Sequence, residues 1–384
     1  MSWATYYKRM TAISVLITGD FCPINRLENL SSASDVNQVL AGLTEIVSQS
    51  DVAITNLECP ITNSKTPMVK SGPNLKGKPE AIDFLLKAGF NLVTLANNHI
   101  MDYKEQGLID TINILENSKL PYVGAGLNIK DASKIHYFQK NDLRIGLVNV
   151  AENEWSTTNG NYPGANPIDV VHVYNSIIEA KKNANIVLVI THGGHEMYEL
   201  PSPRMKNLFR GFIDMGADAV INHHTHCVSG FEVYNSKPIF YSIGNFLFDS
   251  PKEQNPIWNI GQAVAIKITQ NEILLENFYF KQCSDEAKII LLDADEKKDI
   301  EDKIQSFNEI IANDQKLESS FNDYCRSKSR MYNSYLEPHK NKYLMALQNR
   351  KWFPTLWSSR KKLILENLIR CESHRDAVLK ILRK

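Results

Sequence analysis

Histidine, carboxylate and asparagine side chains follow five short apolar runs of this 384-residue sequence. In chain order the polar sets are Gly19-Asp20, Asn56-Leu57-Glu58, Asn97-Asn98-His99, His192-Gly193-Gly194-His195-Glu196 and Asn222-His223-His224-Thr225-His226. Imidazole, carboxylate and amide groups together suit Zn, Mn or Fe better than Ca, which prefers oxygen ligands alone. A carboxylate that can bridge, together with imidazoles from several loops, suits two divalent ions about 3.5–4 Å apart, a pair of the kind that promotes phosphoester hydrolysis.

Each polar set alone also has an ordinary interpretation as a loop or turn, so the combination carries the prediction. The histidine-rich set at 223–226 is the most specific of the five. Alternate side chains of an extended segment point the same way, so either His223 with His226 or His224 with His226 can face a pair of ions. The sequence therefore favours a metal site over five unrelated loops.

Alternating strand and helix patterns predict an α/β domain over residues 13 to about 250. The predicted strands are 13–18, 52–55, 91–96, 145–150, 186–191 and 218–222, with further strands at 238–243, 262–268 and 272–280. The predicted helices are 35–48, with Asp35 near the N-cap, and 79–88, 105–117, 168–182 and 204–215. Loops at the carboxyl ends of strands converge on one crevice, so the five polar sets are expected to meet there.

The overall composition excludes several classes of protein. The chain has 43 basic and 43 acidic residues and is 43% apolar, which argues against a disordered polymer and against a dedicated nucleic-acid binder. Charge is nevertheless uneven, because 285–302 holds eight acids and three lysines whereas 331–384 holds twelve basic and four acidic residues. We predict a main domain at 1–282 and a helical extension with a basic end at 283–384.

The motifs, taken in order, resemble the CapA family of poly-γ-glutamate capsule biosynthesis proteins, which is similar to the calcineurin-like metallophosphoesterases. The resemblance covers about residues 13–250. It rests on GD (19–20), NLE (56–58), KGKPEAIDFLLKAGFNLVTLANNHIMD (76–102), YVGAG (122–126), THGGHE (191–196), DMGADAVINHHTH (214–226) and YSIGNFLFD (241–249). It implies a β-sandwich flanked by helices (α-β-β-α) that holds one or two divalent ions (Mn, Zn or Fe) at its carboxyl-end loops.

The resemblance also implies a role for individual residues. The implied ligands of the first ion are Asp20, Glu58 and His226, and those of the second are Glu58, Asn98, His192 and His224. Glu58 would bridge the two ions, and His99, beside Asn98, would stabilise or protonate the reacting phosphate. Cys22 stands where the superfamily has a histidine, which leaves a one-metal and a two-metal site both open.

Other polar residues of these motifs are candidates for supporting the ligands or contacting substrate. They are Cys22, Asn56, Asp102, His195, Glu196, His223 and Asn245. The lysine-rich loop at 65–78 has two interpretations, as a grip for an anionic substrate or as a solvated surface loop. Its basic residues are Lys65, Lys70, Lys76 and Lys78.

Two functions from different classes are compatible with this pattern. The first is a metal-dependent hydrolase, foremost a phosphoesterase, acting on an anionic or phosphorylated cell-surface polymer or its precursor. The second is a non-catalytic capsule-assembly factor that keeps the fold and contacts the synthesis machinery through its basic tail. No nucleic-acid partner is expected. The apolar run near the N-terminus ends in Gly19-Asp20 rather than in a signal-peptide cleavage site, and the six cysteines are scattered like a reduced set. Both features predict a cytoplasmic protein, with the periphery of the membrane as the alternative.

Overall fold

The structure is a computed structural model that describes residues 12–28, 36–70, 72–250, 256–269, 272–336, 341–354 and 357–370. It divides the chain into two compact units, Met1–Glu318 and Ser319–Lys384. The first unit extends past residue 282, where the sequence predicted that the helical extension would begin. The polar sets that follow the predicted strands all lie in this first unit.

Within the described residues, an eight-stranded sheet forms the first half of the sandwich. Its path runs β16-β15-β14-β1-β2-β3-β4, and β13 pairs with β1 off this path. The strands are β1 (Ile13–Cys22), β2 (Val52–Leu57), β3 (Leu92–Thr94), β4 (Tyr122–Val123), β13 (Asn245–Phe248), β14 (Ile260–Ile268), β15 (Ile273–Gln282) and β16 (Ile289–Leu291). Strands β1 to β4 are parallel, so their carboxyl ends lie at one edge of the sheet.

A second sheet of six strands, again counted over the described residues, runs β11-β12-β10-β9-β7-β6. Its strands are β6 (His136–Lys140), β7 (Leu143–Ala151), β9 (Ile186–His192), β10 (Ala219–His223), β11 (Phe231–Tyr234) and β12 (Lys237–Phe240). The central strands β7, β9, β10 and β12 are parallel. A small antiparallel pair joins β5 (Ala125–Gly126) to β8 (Gly164–Ala165).

The helices follow the sequence prediction except in the first predicted one. In the described chain they are α1 (Val36–Leu40), α2 (Leu43–Ser48), α3 (Glu80–Lys87), α4 (Lys104–Asn117), α5 (Ile129–Ala132), α6 (Val170–Asn183), α7 (Pro203–Asp214), α8 (Pro256–Asn259), α9 (Ala294–Ile311), α10 (Asp314–Leu336), α11 (Lys342–Asn349) and α12 (Ser359–Arg370). The prediction of a single helix over 35–48 is wrong, because Ala41 and Gly42 both have positive φ and break it in two. Asp35, its predicted N-cap, lies outside the described residues.

Three buried apolar clusters show that the two sheets stack face to face between layers of helices. Successive residues of β1 illustrate the alternation of a strand covered on both faces. Ile17 packs in a cluster with Ile190 of the second sheet, whereas Leu16 packs with Phe84 of α3 on the outer face. On the other outer face, Val189 packs with Phe209 of α7. This order of layers confirms the predicted α-β-β-α sandwich.

Helix α9 is fastened to the sandwich by polar contacts of the first unit. Asn308 accepts a hydrogen bond from the backbone N–H of Phe231 at 2.8 Å. The buried side chain of Lys206 on α7 donates to the carbonyl of Ile311 at the end of α9, and it pairs with Asp314 at the start of α10 at 2.6 Å. These contacts explain why the first unit reaches residue 318. Across the helices that the structure describes, none combines the length and the apolar character needed to cross a membrane.

Candidate metal centre

Strand register brings the polar sets together at the carboxyl edge of both sheets. Asp20 at the end of β1 pairs in register with Asn56 of β2 and with Asn245 of β13. In the second sheet, His192 at the end of β9 pairs with His223 of β10. The loops that follow these strands carry the remaining ligand candidates, as expected for the crevice at the ends of parallel strands.

The close approach of β13 to β1 requires a glycine next to Asp20. A Cβ placed on Gly19 would lie 1.9 Å from the carbonyl oxygen of Gly244, which is far inside van der Waals contact. Because Gly19 has no side chain, β13 reaches β1 and sets Asn245 beside Asp20. This local feature of the Gly-Asp motif therefore shapes the site.

Five of the six predicted ligands form two overlapping groups of buried donors. Asp20, Glu58 and His226 make the first group, and Glu58, His192 and His224 make the second, with the donor atoms of each group within 4.8 Å of one another. Glu58 belongs to both groups. The sixth, Asn98, joins the second group through its Oδ1 atom, which lies 3.0 Å from His192 Nε2.

The spacing of the second group is that of ligands around one ion. His192 Nε2 lies 3.1 Å from His224 Nδ1 and 3.4 Å from Glu58 Oε1. Nitrogen and oxygen donors held about 2.1 Å from a single ion lie about 3.0–3.4 Å from each other. The donors are therefore arranged as a divalent cation would need them.

Glu58 gives an independent test of whether a cation fits. Both of its carboxylate oxygens are buried and have no hydrogen-bond partner. Burial, followed by the nearby charge of Asp20, raises the pKa of Glu58 well above its usual value. An unpaired buried carboxylate beside a second carboxylate is unfavourable unless a proton or a cation neutralises it. The donor set therefore fits one or two divalent ions, and Glu58 is the donor that both groups share.

The ligand histidines are held as neutral imidazoles, the form that binds metals. Burial, followed by the charge of the neighbouring histidines, lowers the pKa of His192 well below its usual value. Burial likewise lowers the pKa of His226 to about 4. His192 and His226 can therefore each offer the lone pair of one ring nitrogen to a cation at neutral pH.

His224 and His226 also have a strained backbone. Their φ angles are 88° and 56°, in a region that residues other than glycine seldom occupy. Strain of this kind persists only where the surrounding structure imposes it, and it clusters at functional sites. The two histidines are thus positioned by the fold rather than by local preference.

Around the first group, an aromatic cage and one amide orient His226. Its ring packs against Trp258, with 4.5 Å between ring centroids, and edge-on against Phe248 at 5.2 Å. His226 Nδ1 donates to Asn245 Oδ1 at 2.9 Å, while Asn245 Nδ2 donates to the carbonyl of Trp258. This tautomer leaves Nε2, which lies 3.8 Å from Glu58, free for a cation.

Asn56 contacts one member of each donor group. Its Nδ2 atom donates to Asp20 Oδ1 at 2.7 Å and lies 3.2 Å from His192 Nδ1. Its Oδ1 atom accepts hydrogen bonds from Thr94 and Asn97. Asn56 thus holds a member of each group in a fixed place.

His99 lies at the same edge, in neither group of donors, and is tied to Asp102. His99 Nδ1 is 2.6 Å from Asp102 Oδ2. Asp102 also forms an ion pair with Lys70 and accepts the backbone N–H of Leu75 at 2.7 Å. Of the two interpretations of the lysine loop, neither describes Lys70, whose side chain is only 2% exposed. It is a buried partner of Asp102.

The remaining candidates lie near the site without joining either donor group. Cys22 is buried in the apolar cluster, and burial together with Cys59 raises its pKa well above the usual value, so it is a thiol rather than a thiolate. His223 belongs to neither group; its Nε2 atom lies 3.2 Å from the carbonyl of Thr18. His195 is half-buried and packs against Tyr198, and Glu196 is exposed.

Sequence reasoning missed three residues that contact the predicted ones. Lys70 was considered as a grip for an anionic substrate or as a solvated loop residue, and neither Trp258 nor Glu154 was named. Glu154 lies in the loop after β7, where its carboxylate accepts from Asn98 Nδ2 at 3.2 Å. A polar residue soon after a parallel strand is a signal that could have indicated Glu154. Trp258 and Lys70 carry no such signal, because their contacts are made by distant segments.

These features define a class of protein, an α-β-β-α sandwich with a buried cluster of metal-ligand side chains at the carboxyl ends of its strands. The family model described as "Bacterial capsule synthesis protein PGA_cap" matches residues 14–250, more than half of the chain. The chain belongs to this capsule synthesis family, which confirms the resemblance to CapA proteins.

Curated relatives agree with the family assignment. The chain is 32% identical over 246 residues to the capsule biosynthesis protein CapA of Bacillus anthracis, covering 62% of this chain and 60% of that protein. It is 34% identical over 242 residues to the PGA biosynthesis protein CapA of Bacillus subtilis, covering 62% and 63%. The chain thus spans about three fifths of the length of these relatives.

Two solved structures show distant similarity. A 5'-nucleotidase from Candida albicans aligns over 82% of this chain and 58% of its own, with 10% identity and a TM-score of 0.39. TT1561 of Thermus thermophilus aligns over 70% and 98%, with 11% identity and a TM-score of 0.40. Neither similarity bears on function at such scores.

Proposed function

We propose that this protein is a divalent-metal-dependent hydrolase of capsule biosynthesis, acting on a phosphoester of an anionic cell-surface polymer or its precursor. The observation that carries the proposal is Glu58, a buried carboxylate without a hydrogen-bond partner inside a shell of nitrogen and oxygen donors. The ligands would be Asp20, Glu58, Asn98, His192, His224 and His226. Ions bound there would supply Lewis-acid activation of the ester and of water.

The chain's own contribution to the reaction would come from His99. Asp102 Oδ2 lies 2.6 Å from His99 Nδ1 and would accept a hydrogen bond from it. This contact fixes the imidazole ring and leaves Nε2 as the atom that exchanges protons. His99 Nε2 would then protonate the leaving oxygen as a general acid. Asn56 would keep Asp20 and His192 in place while the charge of the substrate changes.

The decisive experiment measures metal and turnover together. The purified protein is expected to contain Mn, Zn or Fe by elemental analysis, and to hydrolyse a model phosphodiester or phosphomonoester only when metal is present. His224→Ala should lose the ion and the turnover, because a ligand of the second group is removed. His172→Ala is the matched control, since His172 lies on α6, outside both donor groups.

Turnover that survives both chelation and His224→Ala would contradict the proposal of a metal-dependent hydrolase. Bound metal without turnover of any phosphoester would instead favour the second candidate, a non-catalytic assembly factor. One observation favours that candidate: Cys22, at the position where the resemblance expects a histidine, is a buried thiol outside both groups. The same candidate is in keeping with the name of a relative from Mycobacterium tuberculosis, a probable polyglutamine synthesis accessory protein that is 27% identical over 213 residues.

The basic second unit is our proposed contact for an anionic partner. Twelve basic and four acidic residues lie in 331–384, and Trp352 and Tyr343 are 75% and 69% exposed. Cations lie over aromatic rings here, as Lys361 does over Trp357 at 4.5 Å. The names of the curated relatives make poly-γ-glutamate the first polymer to test, with the capsule synthesis machinery as the other partner.

A further inference from the structure

Glu154 contacts two ligands of the second donor group from the solvent side. It lies in the loop that follows β7, and its side chain is 39% exposed. Its Oε2 atom accepts a hydrogen bond from Asn98 Nδ2 at 3.2 Å, and its Oε1 atom lies 3.5 Å from His224 Nε2. One carboxylate therefore meets both an amide and an imidazole of the candidate metal centre.

The two contacted residues present the same arrangement. Asn98 directs Oδ1 toward His192, at 3.0 Å, and Nδ2 toward Glu154. His224 directs Nδ1 toward His192, at 3.1 Å, and Nε2 toward Glu154. In both cases the atom able to bind a cation lies in the donor group, and the remaining polar nitrogen faces the carboxylate.

The loop around Glu154 is fixed to the backbone that carries Asn98. Ser156 Oγ donates to the carbonyl oxygen of Asn98 at 2.7 Å and accepts the N–H of Met101 at 3.3 Å. The neighbouring acid Glu152 is engaged elsewhere, because it accepts the N–H of Gly194 and pairs with Arg204. Glu154 is therefore held in place for its contacts with Asn98 and His224.

We infer that Glu154 is a positioning residue for metal binding, which fixes the amide orientation of Asn98 and the tautomer of His224. An asparagine amide has an oxygen that binds cations and an NH2 that does not, so a flipped Asn98 would lose its ligand atom. A His224 protonated on Nδ1 would likewise lose its lone pair. A carboxylate that accepts from Asn98 Nδ2 and lies 3.5 Å from His224 Nε2 favours the competent form of both.

This inference rests on the proposed metal centre, so the test reads metal affinity rather than activity. Glu154→Gln and Glu154→Ala are compared with wild type by titrating Co²⁺ and Mn²⁺ against a competing chromophoric chelator. Loss of such an outer partner typically weakens metal binding about 10–100-fold. Glu154→Ala should show the full loss and Glu154→Gln a smaller one, because glutamine keeps one acceptor oxygen. The visible absorption spectrum of bound Co²⁺ should change in both variants.

Glu179→Gln is the matched control, since Glu179 is an exposed glutamate on α6. It should keep the wild-type affinity, and the metal-free melting temperatures of all four proteins should agree. Wild-type affinity and an unchanged Co²⁺ spectrum in Glu154→Ala would overturn the inference. So would a fall in its metal-free melting temperature large enough to explain the lost affinity. A wild-type protein that binds neither ion would instead overturn the proposed metal centre itself.

Discussion

At the scale of single residues, the site is organised around a carboxylate that the metal-free fold does not stabilise. Glu58 is fully buried, makes no hydrogen bond through its side chain and lies near the charge of Asp20. Burying such a group costs free energy that the apolar core must offset. A protein keeps this arrangement where the charge is needed, which under our proposal is at the overlap of two groups of candidate cation ligands.

Glu58→Gln tests this cost directly. The substitution keeps the size of the side chain and removes the buried charge, so the free energy of unfolding of the metal-free protein should rise by about 1–3 kcal/mol. The increase in melting temperature that added Mn²⁺ gives the wild type should disappear. Both effects are measured by thermal unfolding with chelator or with Mn²⁺.

Glu276→Gln, at an exposed position of β15, should change neither quantity. A metal-free Glu58→Gln protein that is less stable than wild type would contradict the account of Glu58 as an uncompensated charge. A Mn²⁺ effect that survives the substitution would remove Glu58 from the centre.

At the scale of elements, the segment 62–77 is attached to the site by a buried ion pair. The side chains of Lys70 and Asp102 are 2% and 1% exposed. The backbone N–H of Met68 donates to the carbonyl of Asp102 at 2.7 Å, and the N–H of Leu75 donates to its carboxylate. Asp102 thus connects this segment to His99, so the position of the segment and the orientation of His99 are coupled.

Lys70→Met should loosen this segment. Removing one partner of a buried ion pair leaves an uncompensated charge and costs about 3–5 kcal/mol. Because the pair anchors a loop, the loss should appear as faster amide hydrogen exchange over 62–77. Lys65→Met, at an exposed position of the same loop, should not show it, and Lys70→Arg should restore part of the protection. Exchange that rises evenly over the whole first unit would argue against a local anchor.

The sequence predicted the elements whose cause is local and missed those whose cause is distant. Strands β1, β2, β9 and β10 were predicted because each is a short β-branched apolar run that alternates with helical patterns. The break at Ala41 and Gly42 was missed because the flanking sequence keeps a helical pattern. Lys70 resembled a loop lysine because its partner, Asp102, lies 32 residues away.

The same reasoning applies to the site. The histidine and carboxylate candidates could be predicted from the sequence because metal ligands need specific types of side chain. Asn245 was predicted as a residue that supports the ligands or contacts substrate, but the sequence could not indicate that its partner is His226. That contact, and the role of Trp258, become visible only in the folded contacts between β13 and the segment before β14.

At the scale of the whole molecule, a net charge of zero conceals a separation of charge along the chain. The acidic stretch 285–302 includes the first half of α9 in the first unit, whereas the basic residues concentrate in the second unit. Attraction between a basic segment and a polyanion acts locally and does not need a net positive protein. In our proposal the metal centre would cleave a phosphoester of a polymer precursor, and the basic unit would retain the anionic polymer.

The proposed retention predicts salt-sensitive binding of poly-γ-glutamate. The triple variant Arg360→Gln, Lys361→Gln, Lys362→Gln removes three exposed charges at the start of α12. Binding of a labelled polymer, followed by fluorescence anisotropy, should weaken about tenfold or more in the variant, because each charge contributes to the local attraction. Raising the salt concentration should weaken wild-type binding and reduce the difference in polymer affinity between the wild type and the triple variant, because salt screens these charges. Bound metal should stay at the wild-type level, because all six proposed ligands lie in the first unit. Equal polymer binding by both proteins at low salt would show that the basic unit serves another partner.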